Sequence, residues 1–270
     1  MENLKVSVLI ANYNGEKYIN DCISSLKHQS YNNLEIIFHD DCSSDNSLNE
    51  IKKFQNIKII INQKRGKYGS FNQMAAYQRA LNECTGDIIF FLDSDDYYQK
   101  NKIEIVMKLF LEQSNLKAVY DLPIYKLDYS LIFKKNKKKL ISTYWPYFPP
   151  QSCISIKKDI MQKIIKEIKF ELFPDIWLDF RIGIYLYYIE KNFLILDKNL
   201  TFYRQSKSMI SSKFKHLSSS WWQRRFQTHN YIKYFFEKYK IPYKKNLDYF
   251  LTSIICNLIN EKKNTDYRFK

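Results

Sequence analysis

Cysteine, glycine and proline are scarce in this chain, at five, five and six of 270 residues, and the gaps exclude several kinds of chemistry. Cys22, Cys42, Cys84, Cys153 and Cys256 are odd in number, scattered and never spaced as CxxC, which argues against a disulfide framework or a zinc site and predicts buried thiols. His28, His39, His216 and His229 show no metal-ligand spacing either. No segment approaches the roughly 18 uninterrupted apolar residues of a membrane-spanning helix. Nor does a basic stretch lead into an apolar run and a small-residue cleavage site, so neither export nor spanning is expected and the protein reads as cytoplasmic. The enrichment in Lys, Asn, Ile and Tyr resembles the bias of an AT-rich genome and carries little chemistry.

Hydrophobic residues at 45% and charged residues at 26% are ordinary for a folded globule, which excludes wholesale disorder. The length suits one large domain, or one domain with a C-terminal appendage. Charge is unevenly placed. Residues 201–270 hold 15 Lys and Arg against 4 Asp and Glu, a net +11, whereas residues 1–200 hold 28 against 24, a net +4.

Residues 5–11 form a β-branched apolar run ending at the turn Asn12-Tyr13-Asn14-Gly15, and helical spacing follows over 17–29. Strands are predicted at 34–38, 57–61 and 88–92. Helices are predicted from a Ser43–Asp45 cap to Phe54, over 72–84 and over 103–113. The strand at 88–92 runs directly into Asp93-Ser94-Asp95-Asp96, which puts three carboxylates at a strand's carboxyl end, where open α/β sheets bind ligands. Residues 117–156 read as strands around an exposed basic hairpin or loop, Lys134 to Lys139. Helices follow over 157–169 and 176–190, then a strand over 193–196, and two or three amphipathic helices without an internal repeat over 218–260.

Hard Mg²⁺ or Mn²⁺ takes oxygen ligands and uses one or two protein carboxylates beside phosphate oxygens, which Asp95 and its neighbours could supply. That leaves Asp93 free for a ribose. The competing reading of Asp93–Asp96 is a solvated acidic turn capping the next helix.

Taken in order, VSVLIANYN (Val6 to Asn14), EIIFHDDCSSDNS (Glu35 to Ser47), the Gly66–Asn72 segment and TGDIIFFLDSDD (Thr85 to Asp96) resemble the inverting glycosyltransferases of family 2. The resemblance is close over roughly 4–110 and looser over 145–210. It implies a GT-A fold, an α/β Rossmann-like and mostly parallel sheet flanked by helices, spanning 1–205, with a donor half to 115 and an acceptor half from 116. A basic helical extension would occupy 206–270. It further implies Ala11, Asn12 and Tyr13 around the nucleobase, Asp41 accepting from a ring N–H, and Asp40 buttressing it. Asn72, Asp93 and Ser94 would lie along the nucleotide, and Asp95 and Asp96 at the cation. The family commonly has Pro or Thr at position 11 and Gly at position 42, where this chain has Ala11 and Cys42. Asp40 and Asp41 also read as a helix N-cap pair.

Inversion needs a base that takes the acceptor hydroxyl's proton as that oxygen attacks the anomeric carbon. Asp175 and Asp179 in PDIWLDFR are the candidates. The family pattern of an aromatic-flanked Asp followed by Tyr203-Arg204 favours Asp179, while Asp175 also suits a helix N-cap. Arg204 would meet the diphosphate or fix the loop over it, and Arg65 and Lys67 are further phosphate candidates beside the solvated-loop reading.

The implied function is sugar transfer from a nucleotide donor, UDP-sugar favoured with dTDP or GDP possible, to a hydroxyl of a glycan or lipid-linked glycan in bacterial surface polysaccharide synthesis. A sugar-nucleotide nucleotidyltransferase ranks second, because ANYNGEKY lacks a glycine-rich phosphate loop. The aromatic, basic tail suits an anionic membrane surface on the cytoplasmic side, or packing on the domain or a second subunit. A nucleic-acid-binding protein is the non-enzymatic alternative. It is disfavoured because five strand-end aspartates would repel phosphate, so no nucleic acid is expected.

Overall fold

The computed structural model describes residues 4–127, 130–133, 144–168, 172–205 and 214–266. The first apolar run forms β1 (Val6–Asn12), and α1 (Glu16–Lys27) follows, burying Ile19, Cys22, Ile23 and Leu26 at helical spacing. Next come β2 (Leu34–Asp40), α2 (Ser47–Lys52), β3 (Ile57–Ile61), α3 (Gly69–Glu83), β4 (Ile88–Asp93), β5 (Tyr97–Tyr98) and α4 (Lys102–Glu112). The α2 helix starts later than the Ser43–Asp45 signal predicts. Asp45 Oδ1 instead accepts from the Ser47 amide at 3.0 Å, an Asx-type turn that holds the preceding backbone out of the helix.

The second half supplies β6 (Ala118–Leu127), β7 (Ser130–Phe133), β8 (Ile154–Lys157), α5 (Lys158–Glu167), α6 (Leu178–Tyr185) and β9 (Phe193–Arg204). Strand β9 runs well past the predicted 193–196, because it is paired on both sides, parallel to β6 and antiparallel to β5. The basic run Lys134 to Lys139 lies outside the described residues.

All nine strands form one sheet in the order β3-β2-β1-β4-β8-β6-β9-β5, with β7 paired to β6. The first four run parallel, joined by crossover helices. Beyond β4, β8 runs antiparallel to β4 and β6, β7 to β6 and β5 to β9, while β6 and β9 are parallel, so the sheet is mixed, with both parallel and antiparallel pairings. Apolar patterning identifies a strand, whereas its direction depends on which edge the returning chain meets. Val8, Ile10, Phe38, Phe90 and Leu92 are fully buried in one core with Ile19 and Ile23 of α1 and Ile103 and Val106 of α4. Each such side chain contributes about 1.5–3 kcal/mol of burial, which fixes the strand ends beneath the site.

Below that core, Glu35 ties three segments together. Its carboxylate accepts from Ser7 Oγ at 2.5 Å, the Thr85 amide at 2.6 Å, Thr85 Oγ1 at 2.9 Å and Lys5 Nζ at 2.9 Å. Burial pushes the Glu35 carboxyl up, but these bonds outweigh it and bring it down to about 2. A depressed folded value means stability present above the ordinary carboxylate range and lost as pH falls towards 2. Glu35→Gln is therefore expected to destabilise the protein by about 2 kcal/mol at pH 7, with the gap to the parent narrowing towards pH 2.5. Urea denaturation at the two pH values checks this, and a gap independent of pH would refute it.

The chain divides into two compact units with a boundary after Gln205. The nine-stranded sheet belongs to the first. The second gathers residues 144–146, 172–176 and 214–266, so two segments expected within 1–205 belong with the C-terminal helices. These are α7 (Ser219–Lys238), capped by Ser218 Oγ accepting from the Trp221 amide at 3.2 Å, and α8 (Leu247–Asp266). Tyr231, Ile232, Phe235 and Phe236 of α7 are buried. Arg225 grips Asp248 of α8 through two bonds of 3.0 and 2.6 Å. Among the described residues no helix is long and apolar enough to cross a membrane.

Candidate functional site

Register brings the motifs together. Asn12 lies opposite Asp40 across β1 and β2, and Ala11 lies opposite Asp93 across β1 and β4, so three strand ends share one carboxyl edge. Asp40 is fully buried and acts as a brace. It accepts from Asn12 Nδ2 at 2.7 Å, Ser43 Oγ at 2.6 Å and the Ser43 amide at 2.9 Å, and caps no helix. Asn12 Oδ1 is buried and has no hydrogen-bond partner among the described residues. It faces Gly15, where a Cβ would come within 2.3 Å of it and 2.8 Å of Ser94 Oγ. Only glycine leaves room there.

Asp41 is nearly buried and already engaged. Asn62 Nδ2 donates to it at 2.8 Å and Arg65 Nε at 2.7 Å. The Arg65 guanidinium also lies 3.2 Å from the centroid of the half-exposed Tyr13 ring. Arg65 thus belongs with Tyr13 and Asp41 on the expected base side. Cys42, where the family commonly has glycine, adopts φ 60°, a left-handed conformation that costs a non-glycine residue roughly 1–2 kcal/mol. Asn72 holds the loop rather than facing outward: its side-chain amide donates to Gly66 O at 2.9 Å and accepts from Gly66 N at 3.0 Å. Lys67 Nζ lies 5.6 Å from the Tyr68 ring centroid.

The three carboxylates after β4 have different surroundings. Asp93 Oδ1 accepts from Gln73 Nε2 and Tyr77 Oη, each at 2.8 Å. Burial, with the Asp95 charge adding to it, pushes Asp93 up to about 7. Burial also raises Asp95, against the lowering influence of Arg204. No donor side chain meets the half-buried Asp95 carboxylate in the described hydrogen bonds. Asp96 is fully buried and raised well above the usual range by burial and by Asp95 and Asp93. Its oxygens accept from Ser152 Oγ at 2.5 Å and the Arg204 amide at 2.9 Å. Asp96, expected at the cation, is instead enclosed by protein donors that fix the turn presenting Asp95. Ser94 is held through its amide, which donates to Ala11 O at 3.2 Å.

Arg204 closes this corner. Its guanidinium donates to Asp95 O at 2.8 Å, pairs with Asp21 of α1, and lies 5.0 and 4.7 Å from the Tyr18 and Tyr97 ring centroids. These contacts anchor the backbone of the turn at Asp95. Asp179 stands in the first turn of α6, and its charge adds to the upward shifts at Asp93, Tyr120, Tyr147 and Tyr203. Asp175 belongs to the second unit, where its carboxylate accepts from Gln227 Nε2 at 2.7 Å and its amide donates to Gln227 Oε1 at 3.2 Å. The cap position of α6 is Trp177, so Asp175 does not cap that helix.

Residues 7–164, more than half of the chain, match the family model described as glycosyl transferase family 2. The chain belongs to that family. It is 29% identical over 220 residues to an uncharacterized glycosyltransferase of Nostoc sp., covering 74% of this chain and 65% of the relative. Over 123 residues it is 35% identical to the UDP-Glc:alpha-D-GlcNAc-diphosphoundecaprenol beta-1,3-glucosyltransferase WfgD of Escherichia coli, covering 44% of this chain and 46% of WfgD. The chain therefore spans less than two thirds of either relative. Its fold is that of Staphylococcus aureus TarS 1-349, solved in complex with UDP-GlcNAc, at a TM-score of 0.61 and 20% identity over 82% of this chain and 64% of TarS 1-349. The mixed sheet with its flanking helices is accordingly a GT-A fold.

Sequence reasoning missed Gln73, Tyr77, Ser152, Asn62 and Asp21. Each is an ordinary polar or aromatic residue in its own segment, and only the tertiary fold brings it to a motif aspartate or to Arg204.

Proposed function

We propose that this family 2 enzyme transfers a sugar, with inversion, from a nucleotide-sugar donor to a hydroxyl of a glycan or lipid-linked glycan, in bacterial surface polysaccharide synthesis at the cytoplasmic side of the membrane. The observation that carries the reading is the convergence of Asn12, Asp41, Asp93 and Asp95 on one sheet edge, with the Asp179 charge felt at Asp93. A UDP-sugar is the favoured donor over dTDP- and GDP-sugars, in keeping with the UDP-Glc used by WfgD and the UDP-GlcNAc bound by TarS. The nucleotidyltransferase alternative is weaker, because the β1 to α1 turn carries the single Gly15 where a glycine-rich loop would be needed.

The residues fit a divalent cation. Crowded carboxylates, with Asp95 raising Asp93 and both raising Asp96, favour a nearby positive charge, and their oxygens are the hard ligands that Mn²⁺ or Mg²⁺ prefers. No group of three or more His, Cys, Asp or Glu side chains is assembled for a metal among the described residues. A cation held by one carboxylate, Asp95, would be completed by phosphate and water oxygens. A bound cation would neutralise the charge that develops on the diphosphate as the glycosidic C–O bond breaks. Tyr13 and Arg65 offer a flat face to the base and Asp41 an acceptor beside it, while Asp93 accepts from a ribose hydroxyl. Asp179 takes the proton of the acceptor hydroxyl as its oxygen bonds to the anomeric carbon from the face opposite the leaving diphosphate, which departs with the bond's electron pair.

A thermal-shift comparison of UDP, dTDP and GDP with and without Mn²⁺ tests the donor site. UDP is expected to stabilise the parent by about 2.7 kcal/mol at one hundred times its dissociation constant. The cation-dependent part of that gain should vanish in Asp95→Asn. No stabilisation by any of the three, with either cation, would overturn the reading.

A further inference from the structure

Helix α8 is apolar on two faces. One face meets α7, burying Thr252 and Cys256, with Cys256 Sγ 3.3 Å from Trp222 O and Asp248 held by Arg225. On the opposite face Leu247, Phe250, Leu251, Ile254 and Leu258 are exposed, each by half or more of its surface. Their spacing of three, one, three and four residues makes one continuous stripe. No charged residue occurs from Tyr249 to Asn260. A stripe of this size on a folded chain marks an interaction surface rather than scattered surface leucines.

Charge identifies the occupant. Exposed Lys244 and Lys245 immediately precede the stripe, and residues 261–270, which follow it in sequence, hold four Lys and Arg against Glu261 and Asp266, a net +2. The one acid at its start, Asp248, is neutralised by Arg225. A second copy of the chain would bring a further net +15 against these lysines, whereas an anionic bilayer supplies both the apolar layer and the opposite charge. The buried aromatics of α7 leave this role to α8. We propose that α8 lies in the interface of an anionic phospholipid membrane, with the stripe from Leu247 to Leu258 among the acyl chains and Lys244 and Lys245 at the headgroups. This surface is independent of the sugar-transfer reading, and vesicle binding is measured without turnover.

The test is sedimentation of the full chain with vesicles of phosphatidylglycerol and phosphatidylcholine, against phosphatidylcholine alone, with sedimentation velocity reporting self-association. Binding is expected only to the anionic vesicles and should fall with added salt. Leu251→Asp/Ile254→Asp should reduce it by at least about ten-fold, since two apolar anchors are lost. Lys244→Gln/Lys245→Gln, which leaves the apolar stripe intact, should weaken it roughly thirty-fold, or about five-fold per lysine. Both variants change exposed positions, and an unchanged urea denaturation midpoint verifies the fold. Equal binding to neutral vesicles, or no binding to either kind, would overturn the proposal. So would an apolar double variant that dissociates a dimer while leaving vesicle binding unchanged.

Discussion

Asp179→Asn is expected to lower turnover about 10³-fold, within the roughly 10² to 10⁴ that a positioned general base contributes. The nucleotide-dependent thermal shift of that variant should match the parent, because Asp179 lies in α6 and not on the strand ends assigned to the nucleotide. Asp175→Asn should behave differently. Its carboxylate is engaged by Gln227 within the second unit, so the change removes a hydrogen bond worth about 1 kcal/mol and leaves turnover within a few-fold of the parent. Initial rates of nucleoside diphosphate release in the presence of acceptor, measured for both variants, decide the matter. If Asp175→Asn loses turnover and Asp179→Asn keeps it, the base assignment reverses. If both keep it, proton abstraction by either aspartate is refuted. Asp95→Asn completes the comparison, since it should lose the cation-dependent nucleotide shift that Asp179→Asn retains.

The strand ends were legible because a buried parallel strand is a short unbroken apolar run, and Ile88 to Leu92 followed by Asp93 announces both the strand and its acidic carboxyl end. What the three carboxylates do was not legible. Asp93, Asp95 and Asp96 are equivalent letters in sequence, yet Asp93 is drawn towards Gln73 and Tyr77, and Asp96 turns inward to Ser152 and the Arg204 amide. Those partners lie 20, 16, 56 and 108 residues away, beyond the reach of local spacing. The antiparallel half was hidden for a related reason. Strand β6 is buried along most of its length and pairs antiparallel with β7 and β8 but parallel with β9, directions that its residues AVYDLPIYKL do not encode locally. Asp175 and Asp179 are four residues apart in sequence and belong to different compact units, a division that chain proximity conceals.

Lys102→Met is expected to destabilise the protein by about 3–5 kcal/mol, the cost of leaving one partner of a buried ion pair unpaired. Lys102 and Asp121 are both fully buried, and Nζ meets Asp121 Oδ1 at 2.8 Å in a charge contact without hydrogen-bond geometry. Thr201 Oγ1 accepts from Lys102 Nζ at 2.7 Å and donates to Asp121 Oδ2 at 2.6 Å, while the Tyr98 ring centroid lies 3.8 Å from the ammonium. Burial raises the Asp121 carboxyl, and Lys102 opposes that rise, so removing the lysine leaves burial unopposed. A double variant, Lys102→Met/Asp121→Leu, should regain most of the loss, because replacing both members removes the unpaired acid. The pair also bears on the site. Lys102 Nζ donates to Ser152 O at 2.7 Å, and Ser152 Oγ donates to Asp96, so the knot lies directly beneath the turn that presents Asp95. The double variant is therefore expected to recover urea resistance while its cation-dependent UDP shift remains smaller than the parent's, since Ser152 O loses the Lys102 ammonium and keeps only the longer 3.3 Å contact from Thr201 Oγ1. A single variant that costs less than about 1 kcal/mol would show that the pair is not ionised in the folded protein. A double variant with a full UDP shift would show instead that Asp96 holds the turn without help from Lys102.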